Sequence, residues 1–372
     1  MTLHRRLFTA HSRLVIGIAA GLLLGAVPAA AAGTAAGWTP PACETVDGDG
    51  SFSFTRNDGA TLTPTSNPLT PVAYSSLVAL ARPGHLVGIT KKTVQLSQDA
   101  GCSWEVVART EQDLSQYSLA AGPGGVAYAY GVNDPVVLRI SGRHVSRHRG
   151  PLSDDGVAGF HVDASNPNLL TAVDKSGGVY LSTDGSRAWV KQASAPVTEL
   201  GVYEAAIDPW DRRHIVLGLS GAGTLATFDG GWTWTRSEGI GAKGNANVFS
   251  VSVSSADPGT VWVEGFDPAQ SGSNRARHIW RSSDGGLTYR SVLDGWDVTL
   301  YNGTELWPSP VDPDVVYFEF GTSFAGFGTD LYRYDDATGS VSWTHNAYDG
   351  INSVSFHPAD PAVMYLGLVE ER

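Results

Sequence analysis

Apolar positions along this chain come in short runs broken at close intervals. Val315-Val-Tyr-Phe318 and Val261-Trp-Val263 are typical, rich in β-branched and aromatic residues and bounded by Gly, Asp, Pro and Ser. That texture predicts strands separated by tight turns. Beyond the first thirty or so residues no stretch sustains a helical spacing of apolar positions. The chain therefore reads as all-β.

Two marks punctuate the strands. One is a turn, S/T-x-D-x-G-x-S/T-W/Y, whose members are Ser97, Asp99, Gly101 and Trp104; Ser182, Asp184 and Trp189; Asp229, Gly231 and Trp234; and Ser282, Asp284, Gly286 and Tyr289. The second copy departs, with Ser186 and Ala188 at the Gly and Ser/Thr places. Ser, Thr and Asp side chains can bond backbone amides across such a turn, Gly supplies positive φ, and the aromatic opens the next strand. The other mark is Asn166-Pro167, Asp208-Pro209, Asp257-Pro258, Asp312-Pro313 and Asp360-Pro361, each followed by an apolar run. Pro presets φ and starts a turn between two strands.

The motif aspartates are spaced 85, 45 and 55 residues apart, so the first gap hides a worn unit around Ser141-Gly142. A second worn unit ends at Tyr334-Asp-Asp336-Ala-Thr-Gly339-Ser-Val-Ser-Trp343, and the last unit lacks two strands. Ser51-Phe-Ser-Phe-Thr-Arg56 and Thr61-Leu-Thr63 can supply them. Six complete four-stranded units and one composite give a single seven-bladed β-propeller over residues 38–372, its last blade completed by N-terminal strands. Closure of that kind leaves no open sheet edge.

Composition narrows the partners. Arg5, Arg6 and Arg13 precede an apolar stretch from Leu14 to Val27 and then small residues. This predicts a signal peptide over residues 1–32, cut between about residues 30 and 37, since the stretch is short of the roughly 20 residues of a spanning helix. The expected location is secreted and extracellular. Without that segment the chain carries 22 basic against 37 acidic residues, which disfavours nucleic acid and anionic membranes. The two cysteines, Cys43 and Cys102, are read as a disulfide in an exported chain, with two separate thiols as the alternative.

The repeated turn resembles the Asp-box, or BNR repeat, from about residue 50 to the C-terminus. In that family the motif aspartates form turns on the side of a propeller away from its functional face. The resemblance spans enzymes and non-enzymes. Sialidases in it use an Arg-Ile-Pro motif, but the nearest match here, Leu138-Arg139-Ile140-Ser141, lacks the Pro. No metallopeptidase, nucleophile-elbow, P-loop or dinucleotide signature occurs. His144 and His148 are four apart but share a predicted strand with three arginines, which repel a cation. No catalytic residue, metal or cofactor is assigned.

Insertions on the face opposite the turns are the expected binding elements. They supply Arg275 and Arg277 in one blade, Trp296 and Tyr301 in the link that follows, and Phe324 and Phe327 in the next blade. Such a composition suits contact with another extracellular protein. The whole layout is also similar to acidic, exported single-propeller proteins of streptomycetes. That resemblance implies binding of a secreted neutral metalloprotease whose autolysis is promoted. It also implies service as a transglutaminase substrate, with Gln112, Gln116 and Gln270 as candidate acyl donors. The reading is a non-catalytic, monomeric binding protein. The rival is a carbohydrate-active enzyme or lectin-like module, for which Asp267 and Glu305 are the acids nearest the long loops.

Overall fold

The computed structural model describes residues 42–43, 52–64, 76–131, 133–151, 156–197, 201–241, 243–321, 329–346 and 349–370, all within the compact unit Thr34–Arg372. The expected signal segment, Phe324 and Phe327 lie outside the described residues. Every sheet is four-stranded and antiparallel, and first strands of successive blades pack against one another, except that blade VI meets the composite sheet through its second and third strands.

Blade I runs from Ser76–Ala79 to Glu105–Arg109, blade II from Tyr117–Gly122 to His144–Arg149, and blade III from Val157–Val162 to Val190–Ser194. Blade IV runs from Val202–Ile207 to Thr235–Arg236, blade V from Asn247–Val253 to Arg290–Asp294, and blade VI from Leu306–Pro308 to Ser340–Asn346. Blades made from one unbroken stretch of chain therefore number six, which corrects the sequence count of seven. The remaining four-stranded sheet is a composite of the two chain ends. Each end supplies only two strands: Asp349–Phe356 and Met364–Glu370 from one, Phe52–Thr55 and the two-residue Thr63–Pro64 from the other. Phe52–Thr55 pairs antiparallel with Met364–Gly367, so neither terminal segment forms a blade by itself.

The aspartate turns join third to fourth strands, and their local chemistry explains them. In the third copy Thr227 Oγ1 donates to Asp229 Oδ1 at 2.8 Å and accepts from Gly231 N at 3.0 Å. Asp229 Oδ1 and Oδ2 then accept from Thr233 N and Oγ1 at 2.9 and 2.6 Å. The copies at Asp99 and Asp284 repeat all four bonds. The departing copy keeps the frame: Ser186 takes the glycine place at φ 73°, and Ala188 N still reaches Asp184 at 2.9 Å. A further copy escaped the sequence reading. Thr55-Arg-Asn57-Asp-Gly59-Ala-Thr61 sits between third and fourth strands of the composite sheet, with Asn57 Oδ1 accepting from Thr61 N at 3.0 Å and Gly59 N donating to Thr55 Oγ1 at 3.1 Å. Allowing Asn at the Asp position and Leu62 at the aromatic one would have found it.

The turns between first and second strands share a different cap. Asp163, Asp208, Ser254, Ser309 and His357 each donate their backbone N–H to the carbonyl six residues on. The side chain of each accepts from the backbone N–H two and three residues later. Four of the Pro marks lie three residues after this capping residue, but Asp208 is the cap itself. The Asp208-Pro209 mark is thus offset from the others, because Asp211 occupies the position that Asn166 and Asp257 hold elsewhere.

Closure is reinforced on both sides of the composite sheet. Leu77 N and Ala79 N of blade I donate to Ser353 Oγ and Ser355 Oγ at 3.2 and 2.8 Å. On the blade VI side Asp58 accepts from Tyr317 Oη and from Arg333 Nε. Cys43 and Cys102 form a disulfide, their Cα atoms 4.8 Å apart, which fastens the N-terminal segment to the first aspartate turn. Cys43 packs there with Leu77, Leu86, Ala100, Val363 and Tyr365.

Two outcomes follow. The disulfide closes a 59-residue separation, so Cys43→Ser with Cys102→Ser should lower unfolding free energy by about 4 kcal/mol on chain-entropy grounds, read by urea denaturation. Hydrogen bonds from the Thr233 side chain, then its backbone N–H, push Asp229 down to about 2. A depressed carboxylate stabilises the fold above its unfolded pKa and loses that contribution as pH falls through the folded value. Asp229→Ala should therefore lower the thermal midpoint at pH near 7 and flatten the acid limb. Asp229→Asn should cost less at neutral pH, since Asn57 holds the same turn.

Candidate functional site

The face opposite the aspartate turns carries the starts of the first strands. Several of those starts hold a β-bulge: the pairing register skips Ala158, Tyr203, Phe249 and Asn352. A bulge re-aims side chains. Here it leaves Tyr203 exposed at 43% and stacked aslant on Phe249, ring centroids 4.8 Å apart. Glu204 follows the Tyr203 bulge and reaches across to blade V, where its Oε2 accepts from Val251 N at 2.8 Å.

Three more glutamates come to the same region. Glu264, on the second strand of blade V, is fully buried and accepts from Gly303 N at 3.0 Å through Oε2. Glu319, on the second strand of blade VI, accepts from Tyr301 Oη. Glu305 precedes the first strand of blade VI; it is open to solvent yet ringed by protein. These carboxyls feel one another. Protein crowded round Glu305 pushes its carboxyl up, and the charges of Glu204 and Glu319 add to the rise, while the solvent at its exposed side tempers it. Burial also lifts Glu264 to about 8, against the Gly303 hydrogen bond and the Arg277 charge and with the help of Glu204. Glu204 rises to about 7 through burial, opposed by its bonds to Val251 and Ser250. Tyr130 and Tyr301 are pushed up by burial, then by the same glutamates.

The expected binding residues fall around this cluster. Arg275 pairs with Asp294 at 3.7 Å, and Asp294 also accepts from Trp296 N at 2.8 Å. The Trp296 ring is 67% exposed, so it does not pack between blades. Arg277 donates from Nε to Asn302 at 3.1 Å and lies over the Phe266 ring. The insertion and the link are pressed together at Gly295, where a Cβ would meet Asn274 O at 1.9 Å. Arg275, Arg277 and Trp296 are thus joined on one wall, while Tyr301 turns to Glu319 and Phe320 of blade VI. Asp267 does not point to the cluster as a free acid: it is buried, and its Oδ1 caps Ala269 N at 2.9 Å.

The glutamines differ in freedom. Gln270 donates to Asp267 at 3.3 Å and faces His278 Nε2 at 3.2 Å. Gln112 is held by Asp134 and Arg147. Gln116 is exposed and, among the described residues, donates to the neighbouring Ser115 carbonyl at 3.4 Å. Among the described residues no group of three or more His, Cys, Asp or Glu is placed to hold a metal ion. Sequence reasoning named only Glu305 from the glutamate cluster; Glu204, Glu264 and Glu319 sit in ordinary strand patterns and carried no local signal.

The fold and this open end define the class: a β-propeller. Solved structures similar to the chain include YCF48 bound to D1 peptide, with a TM-score of 0.55 at 13% identity, covering 88% of this chain and 100% of that one. A GH74 enzyme from Niastella koreensis is also similar, at a TM-score of 0.56 and 15% identity, over 85% of this chain and 53% of that one. At such identities the likeness is one of fold. No family model matches the sequence. The dispase autolysis-inducing protein of Streptomyces mobaraensis is 42% identical over 359 residues, 94% of each chain. The chain belongs to the family of that protein.

The glutamates set a pH expectation. A carboxyl raised in the fold contributes stability that is fully present below its unfolded pKa, near 4.5, and is lost as pH rises through the folded value. The thermal midpoint should fall between about pH 5 and pH 9, and Glu264→Gln should flatten that decline. A midpoint unchanged across this range in the parent protein would show that these carboxyls are ionised throughout.

Proposed function

We propose that this protein is an exported, monomeric, non-catalytic β-propeller that binds a secreted neutral metalloprotease of the dispase type and promotes its autolysis. The observation that carries the reading is the 42% identity with the dispase autolysis-inducing protein, sustained over 94% of both chains. Conservation of that extent embraces all the blades rather than one motif. The wall formed by Arg275, Arg277 and Trp296 supplies the contact surface, an exposed indole beside guanidinium groups that are anchored by Asp294 and Asn302. Arg and Trp in such a setting are the residue types that carry binding energy. Gln116 is the acyl donor favoured for a transglutaminase, because its amide is the least engaged of the three candidates.

The glutamate cluster favours a second reading, a carbohydrate-active site. Glycoside hydrolysis needs one carboxylic acid that keeps its proton near neutral pH and one carboxylate partner. Glu305, raised and exposed, is the candidate for the first. The GH74 neighbours support no more than the fold, so this reading stands second.

A single incubation separates them. Dispase mixed with the purified protein should lose its intact band several-fold faster than dispase alone, with the loss blocked by a metal chelator. Trp296→Ala combined with Arg275→Ala should slow the effect by about thirtyfold, the scale of one lost hot spot. Protease decay unchanged by the propeller would refute the reading. Release of reducing ends from a β-glucan, abolished by Glu305→Gln, would install the second in its place.

A further inference from the structure

On the aspartate-turn face, blade I meets blade II without the grip seen between other blades. In blade IV, His214 stands just before the second strand and donates from Nε2 to Gly285 O, in the aspartate turn of blade V, at 2.9 Å. Phe228, just before the turn aspartate, stacks on that imidazole with ring centroids 4.7 Å apart. In blade V, Arg281 precedes the turn serine and pairs with Asp314 and Asp336 of blade VI. Blade I holds His85, Gln98 and Leu96 at these three positions. The facing turns of blade II are worn. Gly124 and Gly125 lie in one and Gly142 in the other, all at positive φ, and a Cβ on any of them would meet nothing within 4 Å. The two blades are joined farther out, where Arg143 donates to Glu105 at 2.7 Å.

A cavity of about 500 Å³ is left between these surfaces, a volume suited to a small molecule. Leu80 and Leu96 give it an apolar lining, and Arg82, His85 and Gln98 stand more openly around it. Among the described residues, the side chains of Arg82, His85 and Gln98 make no hydrogen bond or ion pair. Burial lowers the His85 pKa and the Arg82 charge lowers it further, so a neutral imidazole stands beside a full cation. We propose that this cavity binds a small carboxylate with a compact apolar body, the body against Leu80, Leu96 and the glycines, the carboxylate on Arg82. A guanidinium fork matches a carboxylate with two parallel N–H···O bonds, and Gln98 and His85 can each add a donor. A sugar suits the cavity less well, because hydroxyls set against Leu80 and Leu96 would lose water without gaining partners.

The site lies on the face away from the Arg275 and Trp296 wall and does not depend on the protease reading. Calorimetric titration of the full folded chain with phenylacetate and with octanoate tests it, with phenylacetamide as the neutral control. Phenylacetate should bind about tenfold more tightly than its amide, the scale of one charge-assisted hydrogen bond. Arg82→Gln should remove that difference by weakening the acid and leaving the amide unchanged. Gln98→Phe copies blade IV: its ring should lie on His85 as Phe228 lies on His214, and binding of acid and amide should both be lost. Arg82 and Gln98 are exposed, so both variants should keep the parent's thermal midpoint or exceed it. No heat from either acid with the folded parent, equal affinity for acid and amide, or parental binding in the two variants would each overturn the assignment. Carboxylate binding by a protein without effect on dispase would leave this site standing and remove only the protease reading.

Discussion

Pairing of the two chain ends is the constraint on which the structure depends. Six blades arise from consecutive strands, but a ring of them would leave Met364–Glu370 with a bare edge and Phe52–Thr55 without a sheet. Joining these segments satisfies both sets of backbone groups at once. The axis inherits its layout from that closure, because first strands of neighbouring blades pack on one another from the composite sheet round to blade VI, and the second and third strands of blade VI meet the composite sheet. Disulfide Cys43–Cys102 and the serine hydroxyls of Ser353 and Ser355 act on the same joint, fastening the composite sheet to blade I.

The two faces of the ring are built by different physics. On one, side chains of Ser, Thr, Asp, Asn and His are spent on backbone amides within a few residues of themselves, and the result is a set of stiff turns. Those carboxylates are stabilised as anions by the bonds they accept, as the depressed value of Asp229 shows. On the other face the first strands bulge and the connections lengthen. Its carboxyls are gathered where protein displaces water and few donors reach them, so their proton affinity rises instead. Acidic residues are thus held as anions on one side and raised in proton affinity on the other.

That division explains why a fold shared with GH74 enzymes and with YCF48 says little about activity. The turns specify the scaffold, while the proposed recognition falls to the insertion of blade V and the link into blade VI. These meet at Gly295, where the close approach of Asn274 leaves no room for a side chain. A rigid joint between two loops is a sound platform for Arg275, Arg277 and Trp296.

The sequence by itself determined what is local. The aspartate turns, the strand runs between them and the worn turn at Ser141-Gly142 were legible because each is fixed by hydrogen bonds or φ requirements within about eight residues. The copy at Asn57 and the caps at Ser254, Ser309 and His357 were equally local, but they use different side chains for one job and so escaped a pattern written for Asp. Tertiary structure alone decided the composition of the glutamate site. Glu204, Glu264, Glu305 and Glu319 come from separate strands and links, and only the closed ring and its bulged inner strands bring them together. Their raised proton affinity is likewise absent from the sequence, because it is a property of the burial and the neighbours that the ring imposes.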